Sequence, residues 1–195
     1  MACVKKIQIE DTIYTADTSF RTAIECNRIA EDETIGDFER VLGIICTVFG
    51  ASALDNPNHY EKLLKWVKKW LSCGKEIKDT HEKPDMDYIE DMEYIEASFM
   101  SDYGMDLENT EMDWEKFNKL MNGLSNSEMG NCCVLNRVRN LRNYDVSQIH
   151  DAKEKDRIIK AKEQVALKKP IKEVDIELTE EQQKSVDEFY KALGF

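Results

Sequence analysis

The sequence predicts a mainly α protein, a single helical domain of six to eight helices with a short N-terminal β-hairpin and a C-terminal extended segment plus helix. Three observations predict it. Apolar residues recur at three- and four-residue spacing along most of the chain, residues that start and stop helices bracket those stretches, and only 3 prolines and 8 glycines occur in 195 residues. The expected organisation is a helical domain over 1–169, whose hairpin lies in 1–17, and an extension over 170–195 with an amphipathic helix. A chain of this size buries about 70% of the surface its unfolded form exposes, so it needs neither disulfides nor a metal to fold.

Residues 4–9 and 12–16 are short, β-branched and partly alternating, with Glu10-Asp11 between them, as in a hairpin. An isolated hairpin is marginal, so it should lie on helices. Thr18 or Ser19 caps a helix reaching about residue 30. Thr34 caps the next, whose Phe38, Val41, Leu42, Ile45, Cys46 and Phe49 share one face and mark the centre of the core. Asn56-Pro57 opens a third helix with proline at its first position, Tyr60, Leu63, Leu64, Val67 and Leu71 form its stripe, and Gly74 is placed to cap its end.

Residues 75–84 hold charge, a histidine and a proline but no periodicity, and read as a loop. A helix is expected over 85–103, with a ridge of Tyr88, Ile89, Met92, Ile95 and Phe99 and a stop at Gly104. Thr110 with Asp113, and Ser125 with Glu128, have capping-box spacing. They should open helices carrying Trp114, Phe117, Leu120 and Met121, and then Met129, Cys132, Cys133, Val138 and Leu141. Asp151 with Glu154 starts a charged helix running to Leu167, and Pro170 stops it. Residues 171–178 read as extended, and Thr179 with Gln182 boxes a last helix whose Val186, Phe189, Tyr190 and Leu193 precede Gly194.

Charge narrows the function classes. The chain carries 39 acidic and 27 basic side chains, a net charge of -12, which argues against a general nucleic-acid binder. The charge is segregated: residues 85–128 hold 13 acidic and 2 basic side chains, and residues 129–169 hold 5 and 10. Neighbouring blocks of opposite sign point to packing between them or to oriented association between copies. No apolar run approaches the roughly 20 residues of a membrane span. The N-terminus lacks the pattern of a signal peptide, so a cytosolic address is expected. Cys3, Cys26, Cys46, Cys73, Cys132 and Cys133 show no zinc spacing and read as free thiols.

Candidate chemistry is sparse. His59, His81 and His150 lie in or beside predicted loops and read as surface histidines. Ser72-Cys73-Gly74-Lys75 follows a helix and lacks the longer glycine-bounded turn of a phosphate loop. Asp85, Asp87, Glu90, Asp91, Glu93 and Glu96 lack the glycine and the final glutamate of a calcium loop, so they read as a solvated helix face. Cys132 and Cys133, adjacent on a helix, would point about 100° apart and read as core cysteines. Trp66 and Trp70, four apart, read as core or a helix–helix contact, with a recognition surface as the alternative. No catalytic residue, cofactor site or metal site is expected.

Several blocks, taken in order, resemble a family of phage and prophage proteins encoded with the tail genes of long-tailed phages of Gram-positive bacteria. They are Phe20-Arg21-Thr22-Ala23; Trp70-Leu71-Ser72-Cys73-Gly74-Lys75; Asp91 to Phe99 with Asp102-Tyr103-Gly104-Met105-Asp106-Leu107; and Trp114-Glu115-Lys116-Phe117 running into Leu120-Met121-Asn122-Gly123-Leu124. The resemblance covers roughly residues 18–168. It implies a tail assembly chaperone, commonly encoded between the tail tube and tape measure genes, that keeps the tape measure protein soluble while tube subunits polymerise. It also implies a protein that is not an enzyme, acts in the host bacterial cytoplasm and is missing from the mature virion. Asp113-Trp114 departs from the family's frequent aromatic pair, and the segment 170–195 is extra, so no binding residue is carried over.

The expected partner is the tape measure protein, with the major tail tube protein and self-association as further candidates, and with no nucleic acid, membrane or small-molecule substrate. Val186, Phe189, Tyr190 and Leu193 are the speculative partner-binding residues, with docking on their own domain as the alternative. Two competing readings are a permanent structural tail or connector component and an acidic inhibitor that mimics DNA.

Overall fold

The hairpin forms where the alternation predicts it. Strands β1 (Val4–Ile9) and β2 (Thr12–Asp17) pair antiparallel with Ile7 opposite Tyr14. Ile9, Tyr14 and Ala16 are buried, whereas Val4 and Ile13 stay exposed. The computed structural model describes residues 3–75, 84–126 and 132–168, and within these the architecture is mainly α, with seven α-helices behind the hairpin. The extension over 170–195 lies outside the described residues.

The described residues fall into two compact units. The first comprises 3–75 with 111–117, and the second comprises 84–110, 118–126 and 132–168.

In the first unit, helix α1 (Phe20–Glu31) begins where the Ser19 side chain accepts the Thr22 N–H at 3.2 Å, as its spacing predicts. Helix α2 (Asp37–Phe49) corrects the expected cap. Gly36 precedes it without a side-chain cap, and Thr34 instead donates its N–H to Asp32 Oδ1 in a turn of its own. Asn56 likewise supplies no cap: residues 57–59 form a 3-10 turn before helix α3 (Tyr60–Leu71). The stripe residues do what their spacing says. Val41, Ile45 and Phe49 from α2 and Leu63, Leu64 and Val67 from α3 are buried together with Cys26 and Ile29 of α1 and the inner face of the hairpin.

The segment 111–117 is held against the entry to α1. Phe20 N–H donates to Met112 O at 3.0 Å and Trp114 N–H to Thr18 O at 2.9 Å. Phe117 stacks on Phe20 with ring centroids 4.7 Å apart and planes 5° from parallel. Helix α5 (Trp114–Asn122) is capped by Asp113, whose Oδ1 accepts the Glu115 N–H, and not by Thr110. The chain passes into the second unit within α5.

In the second unit, helix α4 (Met92–Tyr103) starts seven residues later than the periodicity suggests. Over 85–91 the carboxylates have other partners: Asp87 Oδ1 accepts the Ile89 and Glu90 N–H groups, and Asp91 Oδ2 accepts the Asp87 N–H. Gly104 ends α4 in the left-handed region, as predicted. Helix α6 (Val134–Asn143) also starts late, since Ser125 does not cap it and Cys132 and Cys133 precede it. The Cys133 thiol accepts the Asn136 N–H at 3.4 Å, and Ser98 Oγ of α4 accepts the Leu135 N–H at 2.9 Å. Helix α7 (Ala152–Gln164) begins at the expected Asp151 cap, ends before Leu167 and buries no side chain. Ile95, Phe99 and Leu135 are fully buried in this unit.

Candidate functional site

Trp66 and Trp70 sit one helical turn apart on α3, so their rings stack, with centroids 6.0 Å apart and planes 18° from parallel. Both are only partly buried. Trp66 leans on Phe49 of the core at 5.6 Å, and Leu63 and Val67 fill the inward face of α3. Beside the pair runs a groove of about 350 Å³ in the first unit, to which β1 contributes Lys5 and the end of α3 contributes Lys69, Cys73 and Gly74. Thr18, Asp113 and Glu115 complete its lining.

The end of α3 shapes one side of the groove. Cys73 N–H donates to Trp70 O and Gly74 N–H to Lys69 O, both at 2.9 Å, a double closure that needs a left-handed residue. Cys73, at φ 50°, and the predicted Gly74, at φ 72°, both take that conformation. The turn leaves Leu71 O to accept the Trp114 indole N–H at 2.8 Å. The Trp70 indole N–H is also enclosed, and it finds no acceptor among the described residues. An unmet buried donor of this kind costs about 1–3 kcal/mol, the desolvation that water would have repaid.

Close by in the same unit, His59 corrects its reading as a surface residue. It is 8% exposed, its Nδ1 lies 2.7 Å from the Tyr14 hydroxyl, and its Nε2 lies 3.4 Å from Glu10 Oε2. A carboxylate only accepts, so Nε2 carries a proton, and in the neutral ring Nδ1 accepts from the Tyr14 O–H. Glu10 also pairs with Lys62, and the hydrogen bonds from Lys62 and then His59 hold its carboxyl below the ordinary range. Glu10 takes this place at φ 53°, a backbone position that glycine adopts at least cost. His150 is exposed as expected, and His81 lies outside the described residues.

In the second unit the reading of the acidic stretch as a solvated face holds for the exposed Glu90, Glu93 and Glu96 and fails at Asp91. Asp91 is 0% exposed and binds the Arg142 guanidinium through both oxygens at 2.6 and 2.7 Å. Asp85 takes Arg139 Nε at 3.1 Å and Asn143 Nδ2 at 3.0 Å. The opposite-signed blocks therefore pack on each other within the chain. Asp102 accepts the Ser125 N–H, which holds its carboxyl below the ordinary range. Asp85, Asp87, Asp91 and Asp102 are thus engaged within the unit, while Glu90, Glu93 and Glu96 of the same block stay exposed.

A cleft of about 540 Å³ in this unit is lined by Asp102, Tyr103, Cys132, Cys133 and Arg137 among others. Burial raises the Cys132 thiol above its ordinary value, and the buried Cys133 sulfur accepts the Asn136 N–H at the start of α6. Among the described residues no cluster of His, Cys, Asp or Glu could hold a metal ion. None of their helices is long and apolar enough to cross a membrane.

Sequence spacing marked Trp66 and Trp70 but missed Lys5 and Asp113, which reach the groove from distant parts of the chain. Val186, Phe189, Tyr190 and Leu193 lie outside the described residues. No curated protein and no solved structure matches the chain. The family model described as Bacteriophage Gp15 protein matches residues 2–167. The match spans both helical units, and the chain belongs to this bacteriophage protein family.

Proposed function

We propose that this chain is a tail assembly chaperone that binds the tape measure protein and keeps it soluble while the tail tube assembles. The observation that carries the reading is the ordered set of sequence blocks from Phe20 to Leu124, which resemble tail assembly chaperones and lie inside the matched span of a phage family. A long helical partner with apolar stripes aggregates when bare. Its holder needs a well-charged surface and a place to receive apolar side chains. The net charge of -12 meets the first need, and the half-buried Trp66–Trp70 pair meets the second. The role is one of binding, without catalysis, and it is carried out in the host cytoplasm.

The test is co-expression with the tape measure protein encoded nearby, followed by affinity capture and measurement of soluble partner with and without this chain. Soluble, captured partner only in its presence is the expected result. A partner indifferent to the chain overturns the reading and favours a structural tail component, which mass spectrometry of purified particles would detect.

A further inference from the structure

We propose that α7 is a hinged flap, which leaves α6 while the rest of its compact unit stays folded, and which a polar latch at its far end holds shut. The burial pattern sets α7 apart from its neighbours. Helix α4 buries Ile95, Ser98 and Phe99, and α6 buries Leu135, Asn136 and Val138. Helix α7 packs on α6 and on the 3-10 turn Val146–Gln148, yet it buries no side chain, and its Ile158, Ile159 and Ala161 are only half-buried. An element with so little apolar surface removed from water opens at a smaller cost than the core on which it rests.

The two ends of the helix differ in kind. At its start, Ile149 and Asp151 have extended backbone angles, and the Asp151 side chain accepts the Glu154 N–H, a cap that belongs to the flap and moves with it. No hydrogen bond or ion pair among the described residues joins 151–159 to another element. At its end, three polar ties reach other parts of the unit. Arg142 Nε donates to Val165 O at 2.6 Å, Lys162 Nζ donates to Tyr144 O, and Lys168 N–H donates to Glu90 Oε2 at 3.0 Å. Thirteen helical residues span about 20 Å, which separates this latch from the hinge. Asp91 holds the Arg142 guanidinium through both terminal nitrogens, so Nε stays in place to receive the flap when it closes again.

Hydrogen exchange of the full chain, followed peptide by peptide by mass spectrometry at several low urea concentrations, tests the proposal. The α7 amides should exchange at least about a hundredfold faster than those of α4, and with a weaker dependence on urea, because a local opening exposes less surface than global unfolding. The double variant Glu90→Ala/Lys162→Met removes two of the three ties. It should speed α7 exchange about tenfold and leave α4 unchanged. Lys153→Met takes a like charge from the exposed hinge end, where there is no tie, and should alter neither helix. If α7 and α4 exchange at one rate with one urea dependence, α7 opens only with the whole unit and the proposal is overturned. It is equally overturned if the double variant leaves α7 exchange unchanged, if it speeds α4 as much as α7, or if Lys153→Met has the same effect.

Discussion

Arg142 grips Asp91 through both terminal guanidinium nitrogens, Nη1 to Oδ2 at 2.6 Å and Nη2 to Oδ1 at 2.7 Å, across 51 residues of sequence. The same guanidinium donates to Asp85 O at 2.8 Å and, through Nε, to Val165 O at 2.6 Å. It thereby ties the turn before α4 to α6 and to the end of α7. Asp91→Asn or Arg142→Met strands a buried charge, and either should cost about 3–5 kcal/mol. Replacing both, as Asp91→Leu/Arg142→Met, should cost less than the two single changes summed, since no lone charge remains. Urea unfolding of the four proteins checks this; additive losses would rule out coupling.

Tyr14 and His59 anchor the hairpin to the start of α3. Tyr14→Phe leaves Nδ1 buried without a donor and should cost about 1–3 kcal/mol. Thermal unfolding measures it, and an unchanged midpoint would mean that the contact contributes nothing net.

Burial pushes the Cys26 thiol up to about 12. The sign follows from the neutral form: below pH 9 both folded and unfolded chains keep the proton, and there is no effect. Above pH 9 the unfolded chain ionises first and folding is disfavoured, so this group alone removes about 1.4 kcal/mol by pH 10. Cys26→Ala should unfold more easily at neutral pH through its cavity, yet lose that part of the alkaline slope. The native thiol should also resist iodoacetamide at pH 8.5 until the chain is unfolded, as mass spectrometry of the labelled peptides would reveal.

Gly104 ends α4 at φ 62°, with open space where a Cβ would stand. Gly104→Ala therefore tests backbone strain alone and should cost about 1–2 kcal/mol, whereas Gly104→Asn should cost less. Equal midpoints for the two variants in chemical denaturation would contradict this account.

The elements that were legible in the sequence share one property, which is that their causes are local. The hairpin alternates every second residue, Ser19 and Asp151 cap helices three residues away, and Gly104 stops one where it stands. The misplaced starts of α4 and α6 have distant causes. Seven residues that match a helical period are held out of α4 because Asp85 and Asp91 answer to Arg139 and Arg142. Ahead of α6, Ser125 instead gives its N–H to Asp102 and its carbonyl to the Cys133 N–H, and the helix starts at the Cys133 cap.

By itself, then, the sequence determined the helical class, the core stripes of α2 and α3, the Trp66–Trp70 spacing and the segregation of charge. Period and capping act within a turn of chain, so any stretch declares them alone. Only the tertiary structure decided that His59 is buried, that the acidic and basic blocks neutralise each other at Asp91 and Arg142, and that Lys5 and Asp113 flank the indoles. Those outcomes depend on which faces meet across some 45–51 residues, and desolvation at the meeting point sets which charges must pair.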